Sequence, residues 1–268
     1  MSSFRTVTVR GITYLRSGLL SCRHGFSTRL GGVSTEPHTA QLNLAFGRGD
    51  PEDIVRENLR RFAGALEIAP ESIVSMPQIH STRVIYADES LRGEGCFRPP
   101  SCECDGYVAD RAGIALGVKT ADCVPILLED PTAGVIGAVH AGWRGTAAGI
   151  AGVCVDKMCS LGAKPERIRA AIGPAIHFCC YEVGEDFIGS VAELAGAEAA
   201  RRFIRIPDGG TRPHADIVGL NESILLSRGL RPDNIDICEL CTCHTPELFY
   251  SHRASHGLRG TMLSLIAL

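Results

Sequence analysis

The sequence predicts an α+β protein, folded as a single domain over residues 1–268. Three observations carry this. Ten strand-like runs and four helical patterns follow one another irregularly, not as a strict βαβ repeat. Composition does not shift along the chain, and no repeat or low-complexity tract interrupts it. At 45% hydrophobic and 21% charged, a chain of 268 residues buries roughly three-quarters of its unfolded surface without staples.

The segment after Met1-Ser2-Ser3-Phe4-Arg5 alternates without a signal-type apolar run, so a cytoplasmic location is expected. Asp50-Pro51-Glu52-Asp53 reads as N-cap, first-turn proline and acid. Val55, Leu59, Phe62 and Leu66 then form one helical face. A second helix should begin near Thr146, with Ile150, Val153, Cys154 and Leu161 inward, and stop at Gly162 and Pro165. Two more fit Phe187–Ala199 and Ala215–Leu226. Strands are expected at Ile73–Ile79, Val84–Ala87, Gly106–Ala109, Ile114–Val118 and Val124–Leu128. The others are Val135–Val139, Ile168–Ile172, Ile235–Cys238, Leu248–Tyr250 and Met262–Ile266. Arg92–Asp105, rich in Gly and Pro, is the one long loop expected.

With 27 basic and 30 acidic side chains the net charge is −3, which speaks against a nucleic-acid partner held by phosphate neutralisation. No run of about 18 apolar residues suggests a membrane helix. Small molecules are the expected partners, and the sequence does not specify an oligomeric state. Most of the twelve cysteines read as small buried hydrophobes. Neither a disulfide scaffold nor a zinc ribbon or thioredoxin-type C-x-x-C is expected. The notable groupings are Cys102-x-Cys104, Cys179-Cys180 and Cys241-x-Cys243-His244.

Three segments carry chemistry. Val135–Thr146 runs from a buried strand through glycines into a helix, with His140 at the strand end. Its turn amides, Gly142 to Thr146, and Arg144 could meet an anion, or the turn could be a tight connection with a solvated Arg. Thr120–Pro125 places Cys123 between two apolar strands, and Met76–Ser81 ends another strand at His80. Two His and one Cys at strand ends suit Zn2+ with an open fourth position. A nucleophilic Cys123–His140 dyad is the competing chemistry. No P-loop, nucleophile elbow, H-E-x-x-H or dinucleotide fingerprint is present. There is no H-x-H pair of the kind that holds a trinuclear copper cluster.

The chain resembles the YfiH-like laccase-domain family, once labelled polyphenol oxidases and associated with purine nucleoside phosphorylase activity. The stretches are His24-Gly-Phe-Ser-Thr-Arg29-Leu-Gly-Gly-Val-Ser34, Leu42-Asn43-Leu44, Gln78-Ile79-His80, Ala121-Asp122-Cys123 and His140-Ala-Gly-Trp-Arg-Gly145. Gly173–Ile176, Tyr181–Gly184 and Cys241-Thr242 complete the set. The resemblance implies an αββα-like layered sandwich with mixed sheets, and a zinc on His80, Cys123 and His140. Copper is the alternative metal. It also implies phosphorolysis of a purine nucleoside, with adenosine deamination as a companion activity. Catalytic candidates are His80, Cys123, His140 and Arg144. Substrate or phosphate candidates are Arg29, Asn43, Gln78, Gly142 and Gly145. Departures from the family pattern fall at Asn58-Leu59, at Tyr250-Ser251-His252-Arg253 and at Gly257-Leu258-Arg259. Rival readings are a cysteine hydrolase or amide-editing enzyme, a non-enzymatic zinc module and a polyphenol oxidase.

Overall fold

A computed structural model describes residues 2–268. In chain order the first strands are β1 (Arg5–Val9), β2 (Ile12–Arg16), β3 (Arg23–Ser27), β4 (Ile73–Val74), β5 (Val84–Tyr86), β6 (Gly106–Ala109) and β7 (Ala115–Thr120). They continue as β8 (Val124–Asp130), β9 (Val135–Ala141), β10 (Arg169–Ile172), β11 (Ile204–Arg205), β12 (His214–Ala215), β13 (Ile235–Ile237) and β14 (Met262–Ala267). The helices are α1 (Glu52–Ala65), α2 (Trp143–Ala147), α3 (Ile150–Ser160), α4 (Glu185–Ala195), α5 (Ala197–Phe203) and α6 (Ile217–Ser227).

Two mixed six-stranded sheets form, ordered β1-β2-β3-β14-β7-β4 and β13-β10-β8-β9-β6-β5. Strand parity shows how they stack. In β9, Ile136 and Ala138 enter a core shared with Phe26, Leu116 and Ile266 of the first sheet. Val135 and Val139, on the other face, pack with Ile150, Cys154 and Leu225 under the later helices. A third core joins Val55, Leu59 and Phe62 of α1 to Ile12, Ala115 and Leu265 on the outer face of the first sheet. The layers are therefore helix, sheet, sheet, helix, as the resemblance implied. Central strands buried on both faces explain the near-continuous apolar runs in their sequences.

Local chemistry accounts for the differences from expectation. The strand expected at Ile73–Ile79 lasts two residues, because the Met76 N–H donates to Tyr107 Oη and Pro77 has none to give. Leu248–Tyr250 is no strand: the Leu248 and Phe249 N–H groups both turn back to Thr245 O. The helix expected from Thr146 begins at Trp143 and is broken at Gly149, whose φ is +81°. The fourth-layer helix at Phe187–Ala199 splits at Gly196 in the same way. Three N-terminal strands and the β11–β12 ribbon join the nine expected runs that do form strands. Residues 28–51 and 238–261 also lack regular strands and helices, so Arg92–Asp105 is not the one long loop.

Candidate metal centre and its cleft

Strand β9 delivers His140, and its two neighbours deliver what surrounds it. Register places Gly106 of β6 opposite Val139, so Asp105 falls beside His140 on one side. On the other, Pro125 of β8 pairs with His140, and Cys123 lies two residues back in the turn from β7. His140 shares the parity of Ile136 and Ala138, so its ring faces the space between the sheets. His80 comes from the irregular segment ahead of β5, not from a strand end as expected, and it takes φ +59°.

Asp105 assembles this end of the molecule. Its fully buried carboxylate accepts from the N–H groups of His80 (2.9 Å) and Ser81 (2.7 Å) and from the Ser81 hydroxyl (2.7 Å). It also accepts from His140 Nδ1 at 2.8 Å, which leaves Nε2 for the cleft. Burial would raise the Asp105 carboxyl, but His140 and Ser81 hold it at about 2.

The ligand atoms of His80, Cys123 and His140 lie within 4.8 Å of one another. Cys123 Sγ is 3.8 Å from His80 Nε2, and the two imidazoles meet edge to face with centroids 4.9 Å apart. Burial opposes ionisation of Cys123, yet His140 and His80 outweigh it and bring the thiol down to about 6. Burial also opposes a charge on His140, but Cys123 and Asp105 take it up to about 9. A thiolate with two imidazoles, one oriented by a carboxylate, is a donor set that fits a borderline-soft cation.

Asp122 turns β7 into β8 with φ +96°. Thr242 Oγ1 and the Arg253 N–H each donate to its carboxylate at 2.7 Å, which holds the conformation that aims Cys123. Gly142 is required by close approach: a Cβ there would stand 2.5 Å from His80 Cδ2. At Gly145 it would stand 2.9 Å from Ser81 O.

The three donors open onto a cleft of about 770 Å³. Arg48, Lys119, Arg259, Gln78, Met76 and Phe97 are among its walls. Lys119 Nζ donates to the Ser75 and Gly95 carbonyls at 3.2 Å each. Arg259 is buried enough, and near enough to Arg48, that its pKa is lowered, and its Nε has no partner. Gln78 exchanges two 2.7 Å hydrogen bonds with the backbone of Lys119, tying the His80 segment to β7. Arg144 is exposed, stacks 4.2 Å over Trp143 and is not part of this wall. Arg29 spends its guanidinium on Ala40 O and Pro246 O. Asn43 is buried, bonded to Ala45, Asp50 and Thr261. Both support the loops beside the cleft.

The family described as multi-copper polyphenol oxidoreductase laccase matches residues 23–268. The chain belongs to that family. A purine nucleoside phosphorylase of Deinococcus radiodurans is 39% identical, over 98% of this chain and 95% of that protein. An adenosine deaminase, RL5, from an unknown prokaryotic organism is 34% identical, over 85% and 87%. The crystal structure of the Bacillus licheniformis hypothetical protein YfiH superposes with a TM-score of 0.90 at 31% identity, each chain covered fully. As a member of this laccase family, the chain places its His/Cys/His group where two sheets meet.

Sequence reasoning missed Asp105, although an acid just before a strand, in Cys104-Asp105-Gly106, was a readable signal. It also passed over the C-x-x-C spacing Cys238-Glu239-Leu240-Cys241. Those two thiols do not act as a pair: Cys238 packs between the sheets and Cys241 under the helices. Among the described residues no helix is long and apolar enough to cross a membrane.

Proposed function

We propose that this protein is a zinc-dependent purine nucleoside phosphorylase. It would convert adenosine, inosine, guanosine or methylthioadenosine, with phosphate, to free base and ribose 1-phosphate. The observation that carries this is the His80/Cys123/His140 group on the wall of a cleft that also presents Arg48 and Arg259. The volume suits a nucleoside with phosphate. The phosphorylase name of the Deinococcus radiodurans relative supports the reaction class.

His80, Cys123 and His140 would hold the zinc, which when bound supplies a Lewis acid or a water of lowered pKa. The chain's own part is binding and orientation. Arg259 and Arg48, both on the cleft wall, attract and place the phosphate anion. Arg144 with the Gly142–Thr146 turn remains the second anion candidate, outside this wall. Asp105 fixes the His140 ring through Nδ1, so that Nε2 is the atom turned to the cleft. Phosphorolysis exchanges the N-glycosidic bond for a C1′–O bond to phosphate, and the base departs with a proton.

Adenosine deamination is a second reading, supported by the name of RL5. The lowered Cys123 thiol supports a third, a cysteine hydrolase with His140 as base. Among the described residues, the donor groups contain too few histidines for the trinuclear cluster of a copper oxidase. A nucleoside panel with and without phosphate separates these readings. Phosphate-dependent release of base and ribose 1-phosphate is expected. Base release undiminished without phosphate would mean hydrolysis, ammonia alone deamination, and no turnover by zinc-loaded protein would favour the cysteine chemistry.

A further inference from the structure

A second group of soft donors lies outside the cleft. Cys179, Cys180, Cys241 and His244 each offer a ligand atom, and the four atoms lie within 4.8 Å of one another. They come from two segments about sixty residues apart. The parallel bridge between Ala175 and Cys241, with Thr242 N donating to Ala175 O at 2.9 Å, joins those segments. On one side the chain turns at His177, whose carbonyl accepts from the Cys180 and Tyr181 N–H groups. On the other, Thr245 N and Oγ1 both donate to Cys241 O, which folds His244 back toward the thiols.

Cys179 and His244 are exposed, so core packing does not account for their convergence. The group borders a shallow surface cleft of about 470 Å³ that also contains Asp216 and Glu239, whose charges favour a cation. All the thiols are free. Three thiols and one imidazole are the donors of a closed Cys3His zinc site. Tetrahedral ligands at about 2.3 Å stand about 3.8 Å apart, so the observed spread needs only small side-chain adjustments.

We propose that Cys179, Cys180, Cys241 and His244 bind a second zinc ion, which clamps the 238–261 segment to the turn after β10. That segment supplies Thr242 to Asp122, beside Cys123, and Arg259 to the cleft. The second ion is therefore structural, and its existence does not depend on which reaction the first site performs.

The test counts metal on the full-length protein purified under reducing conditions. Wild type should carry two zinc ions per chain. His80→Ala with Cys123→Ala should carry one, and so should Cys179→Ser or His244→Ala, both exposed positions where the fold is easily checked by circular dichroism. Loaded with Co2+, the His80→Ala/Cys123→Ala protein should show the strong near-ultraviolet charge-transfer absorption of several thiolates. His244→Ala in that background should weaken it. Absence of both zinc and that band from a folded His80→Ala/Cys123→Ala protein would overturn the proposal. So would uptake of Cu+ but not Zn2+, or a Cys179–Cys241 disulfide that on reduction takes up no metal. One zinc that survives His80→Ala/Cys123→Ala would uphold the second site even if the first proves empty.

Discussion

His140 Nδ1 and Asp105 Oδ1 lie 2.8 Å apart in a pair almost closed to solvent, and the same carboxylate carries the His80 turn. One acid thus fixes two of the three donors. Asp105→Asn would replace an acceptor-only group with one that presents an NH2 to N–H donors. We expect metal affinity to fall about 10- to 100-fold, measured by chelator competition. The metal-free fold should lose about 3 kcal/mol or more, since the partners of a buried charge are left unmatched.

The acid limb of stability should report the same carboxylate. Its pKa is about 2 in the fold against an ordinary 3.8. A depressed carboxyl stabilises the fold fully above its unfolded value, and that contribution disappears as pH falls from about 4 through about 2. Urea midpoints of Asp105→Asn should therefore converge on wild type in this window. Parallel curves down to pH 2 would show that the carboxylate contributes no stability.

Metal-free protein should hold Cys123 as a thiolate beside protonated His140 between about pH 6 and about pH 9. Alkylation of Cys123 should rise with a midpoint near 6. Burial pushes Cys104 to about 11 and Cys154 to about 12, so these should stay unmodified under the same conditions. Zinc should protect Cys123, as read by peptide mass spectrometry.

Gly142→Ala places a methyl group 2.5 Å from His80 Cδ2 and 3.4 Å from Cys123 Sγ. His80 is exposed and can swing outward, so the expected result is loss of zinc from the first site with a small change in Tm. Undiminished metal binding by the folded variant would show that His80 is not a required ligand.

Arg259→Ala should raise the KM for phosphate at least 10-fold, with the nucleoside KM changed much less. Arg144→Ala, at an exposed side chain stacked on Trp143, should change phosphate saturation little. Phosphate KM raised by Arg144→Ala alone would return the anion site to the turn after β9.

The central strands were legible in the sequence, which also singled out the three side chains that the structure brings together at the cleft, His80, Cys123 and His140. Apolar runs with chain-breaking residues between them are local signals, and His and Cys are recognisable ligands wherever they stand. The β8 and β9 segments were legible because their burial pattern is continuous. The extended appearance of Ile73–Ile79 misled, because Pro77 and a tyrosine hydroxyl, Tyr107, decide that backbone's partners. The tertiary structure alone decided which strand ends are neighbours. Asp105 faces His140 only because β6 lies beside β9, and Arg259 reaches the cleft only because β14 lies beside β7. The thiols of Cys179, Cys180 and Cys241 meet only through the Ala175–Cys241 bridge. Such neighbours follow from sheet order, which is set by burial summed over pairs distant in the chain. No local window of sequence contains that sum.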